Sequence, residues 1–207
     1  MPNNKAVLLS IKPVWCSKIV LKEKTVEVRK TKPEGVKTPF KCYIYCTKER
    51  SKMGWLRIVP GKGWQRLDGT VIGEFVCDKI WELAPICRAP DDVEEMACMD
   101  RDRIVRYLSK CRGWAWHISG LKIYDKPLPL SNFIPNCLHL EVEAGCRAYR
   151  EHGWSCPDQR YDLNPDGSIN MAICQRSVKR PPQSWCYVEE KDIVDLLLYS
   201  NELEKQR

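Results

Sequence analysis

The chain has 207 residues and a mass of 24.1 kDa, enough for one large domain or two small ones. Charged residues at 29% and hydrophobic ones at 43% exclude a mostly disordered chain, a collagen-like repeat and a coiled coil. The formal charge of +7 is unevenly spread: residues 1 to 66 hold 16 Lys/Arg against 4 Asp/Glu, and the remainder hold 18 against 23. The first third therefore builds a basic face of the kind a polyanion meets.

Ala6 to Ile11 is a short apolar run stopped by Pro13, and it predicts a buried strand. It is too short for a secretory signal, and no apolar run approaches the ~20 residues that cross a bilayer, so the chain reads as cytoplasmic with no membrane partner. Pro13 suits a helix start, and the i,i+4 pairs Trp15/Ile19 and Cys16/Val20 predict a short helix to about Leu21. Thr25 to Arg29 alternates, with Val26 and Val28 on one side and Thr25, Glu27 and Arg29 on the other, as in a half-buried strand.

Phe40 to Cys46 and Thr70 to Cys77 predict two more strands, separated by a Gly- and Lys-rich loop from Lys48 to Arg66. Asp100 can cap a helix with an apolar stripe of Ile104, Val105 and Leu108. Trp116 to Tyr124, interrupted by Gly120, and Ser184 to Val188 predict further strands, and an amphipathic helix is expected from about Glu189 to Leu203. The fold class expected is α+β: a small barrel of five to six strands with flanking helices, assembled from 1–132 and 181–207. Residues 133–180 form a polar, Cys/His-containing insertion.

The order Ser10-Ile-Lys-Pro13, helix, Lys24-Thr-Val-Glu-Val-Arg29, then Thr70-Val-Ile-Gly-Glu-Phe75 resembles the ASCH domain (activating-signal-cointegrator homology) of the PUA-like superfamily. The likeness covers about residues 5 to 125, resumes at Arg180 to Tyr187, and is nearest to the longer ASCH proteins of bacteria and their phages. The family's mark is a G-x-K-x-x-E-x-R run; Lys24, Glu27 and Arg29 match it, and Lys22 stands where the family has glycine. The resemblance implies a PUA-like pseudobarrel with a cleft near the first helix for a nucleotide or single-stranded RNA. Ser10, Lys12 and Ser119 are cleft candidates by family position.

Read as residues, Glu27 and Arg29 leave the same strand face, where a carboxylate beside a guanidinium can read base edges or hold a phosphate, with Lys24 at the strand's start. The bland alternative is a solvated ion pair. Some small bacterial ASCH proteins are amidohydrolases on acylated cytidine; the resemblance then implies catalytic roles for Lys24 and Glu27, although Glu27 occupies the place of their threonine nucleophile. The 48–66 loop interleaves Trp55 and Trp64 with cations that include Lys62 and Arg66, a pattern that stacks bases and follows phosphates. Trp116 and His117 are further ligand candidates, His117 being the histidine within the matched region, and each has an ordinary structural role as its alternative.

Twelve cysteines without an export signal should stay reduced. Those on strands, Cys42, Cys46 and Cys77, are expected in the core. Cys137, Cys146, Cys156 and Cys174, with His139 able to replace one, are the candidate ligands of a structural zinc that would staple the insertion. The functions open at this point are an RNA- or nucleotide-binding protein, a hydrolase of the same fold acting on modified nucleosides or as a ribonuclease, and a protein-interaction module using the basic face.

Overall fold

A computed structural model of the chain describes residues 5–49, 55–56, 65–84, 88–109, 112–133, 178 and 180–190. The elements run β1 (Lys5–Ile11), α1 (Pro13–Val20), β2 (Val26–Arg29), β3 (Phe40–Cys46), β4 (Trp55–Leu56), β5 (Gln65–Arg66), β6 (Thr70–Cys77) and β7 (Ile80–Ala84). They continue with α2 (Val93–Ala97), α3 (Arg101–Leu108), β8 (Gly113–His117), β9 (Ser119–Pro129) and β10 (Trp185–Glu189). Five strands form one sheet in the order β10-β1-β3-β6-β9, parallel only between β1 and β3, and β2-β8-β7 form a second, antiparallel sheet. The α+β class agrees with the sequence reading; β4 and β5 make a third sheet of two strands, the other described strands divide between the two larger sheets, and no closed barrel is formed among the described strands.

The reason lies in where the predicted strand around residue 120 breaks. Ile118 separates β8 from β9; β8 pairs with β2 and β7, while β9 crosses to the large sheet beside β6. Gly120 follows the break with φ of +55°, a left-handed conformation that glycine adopts without a side-chain clash. Strand β7 and helix α2 had no periodic signal strong enough to predict them.

Strand β1 is buried along nearly its whole length because both faces of the large sheet are covered. Val7, Leu9 and Ile11 join Cys42, Ile44 and Cys46 of β3 in a core that also takes Cys16 and Ile19 of α1 and Trp116 of β8. Ala6, Leu8, Tyr43 and Tyr45 enter a second core on the opposite face. A third core lies between the small sheet and its helices, where Val26, Val28 and Ala115 meet Val93, Ala97, Ile104 and Leu108. Full burial pushes the Cys16 thiol of α1 and the Cys42 thiol of β3 well above the ordinary thiol range, and burial carries Cys77 up to about 12, so these cysteines are packing groups.

Two expectations change. Strand β2 is buried on both faces, not half-buried, since its charged side also lies under protein. Val105 points outward at 45% exposure and is not part of the α3 stripe, which Ile104 and Leu108 make alone. Asp100 does cap α3, its carboxylate accepting from the Arg103 amide at 2.7 Å. The expected final helix and nearly all of the insertion lie outside the described residues, and no described helix is long and apolar enough to cross a membrane.

The turn from α1 into β2 explains the glycine of the G-x-K-x-x-E-x-R pattern. Lys22 sits just past the helix with φ of +61°, and its amide donates to the Ile19 carbonyl while that of Glu23 donates to Lys18. This left-handed helix stop favours glycine, and a lysine holds it at a steric cost. Lys22→Gly should therefore raise stability by about 1 kcal/mol in urea unfolding. An unchanged or lowered midpoint would show that the turn carries no such strain.

Candidate functional site

Lys24, Glu27 and Arg29 meet in a connected chain of charge. The Lys24 ammonium lies 3.4 Å from Glu27 Oε2, and Glu27 Oε1 lies 3.0 Å from Arg29 Nη2. All three are buried, with residue exposures of 2, 6 and 5%. Each end is anchored to backbone: Lys24 Nζ donates to the Ala97 carbonyl at 2.8 Å, and Arg29 Nη2 donates to the Ser10 carbonyl at 2.8 Å. Arg29 Nη1 reaches both the carbonyl and the hydroxyl of Ser184 at 3.3 Å. Strand β2 and the turn leading into it thus tie α2, β1 and the lead into β10 together through side chains.

Burial alone would push Lys24 well below the ordinary lysine range, and its pKa is lowered on balance, with Glu27 supplying the main opposing pull. The ion pairs of this network are therefore not the solvated pair that sequence allows. Buried charges of this kind keep their place only when hydrogen-bonded, and taking away one partner strands the others.

Above this network opens a cleft of about 340 Å³. Its floor is made by Lys24, Glu27, Val28 and Arg29, one wall by Ser10, Ile11, Lys12 and Trp15, and the other by Met99, Arg103 and Tyr107, with Gln183 completing it. Of these lining residues four are cationic and one is a carboxylate. The Trp15 ring receives Lys24 Nζ at 5.0 Å and the Arg103 guanidinium at 4.6 Å from its centroid. Two polar atoms of lining residues, Ser10 Oγ and Arg29 Nε, are shut off from water and lack a hydrogen-bond partner among the described residues. Such atoms are uncommon, and each asks for a reason.

The other predicted residues fall in different places. Ser10 and Lys12 line the cleft. Trp116 shares a face with Glu27, its register partner, but is fully buried in the core against Phe40 and Trp185. His117 stands outside the cleft lining, with Nδ1 2.6 Å from Asp78 Oδ1; burial raises the Asp78 pKa, but the His117 hydrogen bond and charge outweigh it and the balance is a lowered value. Ser119 donates its hydroxyl to the Val76 carbonyl, also away from the cleft. Arg66 is exposed and paired with Asp68 at 2.7 Å, and its strand pairs with that of Trp55 to make a short ribbon beside α1.

Lys62, Trp64 and the zinc candidates Cys137, Cys146, Cys156 and Cys174 lie outside the described residues, as does His139. Among the described residues no group of three or more His, Cys, Asp or Glu side chains could hold a metal. The sequence reading passed over Trp15, Arg103 and Tyr107 as cleft residues. A signal existed for two of them: Arg103 and Tyr107 are four apart on α3, hence on one helix face.

The network makes an ordered expectation about stability. Glu27→Gln leaves two buried cations without a counter-charge and should cost about 3–5 kcal/mol, more than Lys24→Met, which leaves the neutral Glu27–Arg29 pair. Without Glu27 the folded state holds the Lys24 proton still less firmly than the unfolded chain, whose lysine titrates near 10.5. The unfolded state then binds more protons, so stability of the Glu27→Gln protein should rise as pH goes from 7 to 9, more steeply than wild type. Denaturant titrations of the variants at the two pH values check this; equal costs and parallel pH profiles would contradict it.

No protein-family model and no curated protein matches the sequence. Among solved structures, the ASCH protein of Zymomonas mobilis superposes with a TM-score of 0.51 at 14% identity, covering 95% of this chain and 96% of that one. A Ser-to-Ala mutant of the same bacterial protein gives a TM-score of 0.49 at 15% identity over 98% and 99% of the two chains. At such identity the likeness concerns the path of the chain, and on that ground the protein has an ASCH-like fold.

Proposed function

We propose that the cleft binds a nucleotide or a nucleotide-like unit of RNA. The observation that carries this reading is the cleft's lining, which sets four cations and a single carboxylate beside the rings of Trp15 and Tyr107. Tyr107 offers a π face for a base, Trp15 offers one once the exposed Arg103 side chain swings off its ring, and Lys12 and Arg103 offer charge to a phosphate. The volume lies within the usual range of small-ligand pockets.

The buried network takes a different part from the one expected of a binding triad. Glu27 and Arg29 are engaged internally, so they hold the floor in place and leave ligand contact to the exposed lining residues. A hydrolytic role is the second reading, and Lys24 favours it, since its lowered pKa is what a proton-transfer lysine needs. Turnover of acylated cytidine or of short RNA that Lys24→Ala abolishes would put hydrolysis in place of simple binding.

Calorimetric titration with nucleoside monophosphates tests the cleft. Arg103→Ala and Lys12→Ala are exposed changes that should leave folding intact and weaken binding about tenfold each, or ~1.4 kcal/mol, with the loss shrinking as salt rises. Wild-type affinity in both variants, or no monophosphate binding by the intact protein, would overturn the reading.

A further inference from the structure

A second row of cation and aromatic pairs begins where the cleft ends. Tyr107, 40% exposed, is shared by both: it lines the cleft, and its ring lies under Lys30 Nζ at 5.5 Å from the centroid. Lys30 follows directly on Arg29 as the chain leaves β2, and its ammonium also reaches Ser109 Oγ at 3.5 Å. Two residues further, Lys32 Nζ stands 4.2 Å from the centroid of the Trp114 ring. Trp114 is the register partner of Arg29, so the second pair lies at the end of the small sheet where β2 finishes and Lys30 follows.

Both lysines are exposed, and Trp114 is half-buried. Exposed cation–π contacts are worth only about 0.5–1 kcal/mol, little enough for an arriving base to share or displace them. Of the carboxylates nearby, Glu94 pairs with Arg101 and Glu82 with Arg112 at 3.7 Å, while Glu34 and Asp102 are exposed. The row presents positive charge alternating with ring faces.

We propose that this row is an exit track for a single-stranded polynucleotide whose one unit occupies the cleft, running from Tyr107 past Lys30 to Lys32 and Trp114. The proposal rests on the reading of the cleft as a nucleotide site and extends it from a unit to a strand. Phosphates would meet the two lysines and bases would stack on the two rings, a combination that holds single strands with little dependence on sequence. A duplex is a poor fit, because paired bases keep their faces to themselves.

The test compares uridine monophosphate with single-stranded octamers of RNA and DNA, an abasic octamer of equal charge, and an octaglutamate, all titrated into the intact protein at several salt concentrations. The octamer should bind at least ten times more tightly than the monophosphate and more tightly than the abasic octamer, and the RNA and DNA arms identify the sugar. Replacing both exposed lysines, Lys30→Ala with Lys32→Ala, should lower octamer affinity about tenfold and flatten the salt slope by about 1.4, two phosphate contacts at roughly 0.7 each, while monophosphate binding stays as in wild type. An octamer that binds no better than the monophosphate, or as well to the double variant as to wild type, overturns the track and leaves the cleft reading standing. Equal binding of abasic octamer or octaglutamate overturns base stacking. Lysine-dependent octamer binding without any response to Arg103→Ala or Lys12→Ala would sink the cleft reading instead, and with it a track that starts there.

Discussion

The described fold depends on placing three charges where water cannot reach them. Lys24 just before the four-residue strand β2, and Glu27 and Arg29 on it, replace the hydration they lose with one another and with the carbonyls of Ala97, Ser10 and Ser184. Those carbonyls come from α2, from β1 and from the segment before β10. Satisfying the charges thus fixes the relation of the two sheets and of the chain's late segment to its early one. Buried ion pairs add little net stability against an apolar alternative, and their value here is positional.

The consequence for function is a floor that cannot adapt. An arginine held by two nitrogens cannot swing toward a ligand, and the serine whose carbonyl receives it is buried beside it. A preorganised floor lowers the ordering cost of binding. The mobile part of recognition then falls to the exposed side chains on α3 and at the start of α1, namely Arg103, Tyr107 and Lys12. Such a division suits a site that must accept a flexible, charged ligand.

Much of the floor was legible in the sequence because it is local. Alternation from Thr25 to Arg29 put Glu27 and Arg29 on one face, and the likeness to the K-x-x-E-x-R run put Lys24 at the strand's start. Alternation does not reveal depth, however. Trp116, a ligand candidate in the sequence, lies across the register from Glu27, yet one strand inward that face is core. The opposite wall was illegible for a different reason: α3 is distant in sequence, and its outward residues look like any solvated helix face until topology swings them over β2. The split of the predicted strand at Ile118 was equally hidden, since both halves carry apolar residues and only the pairing partners differ.

The central claim is that a nucleotide binds in the cleft over a fixed floor. The most direct measurement is the indole N–H resonance of Trp15, which lines the cleft, followed by nuclear magnetic resonance while uridine monophosphate is added. The account predicts a saturable shift of that resonance, with the affinity measured by calorimetry. Saturation of binding while the Trp15 resonance stays in place would mean that the ligand sits elsewhere, and the account would be wrong.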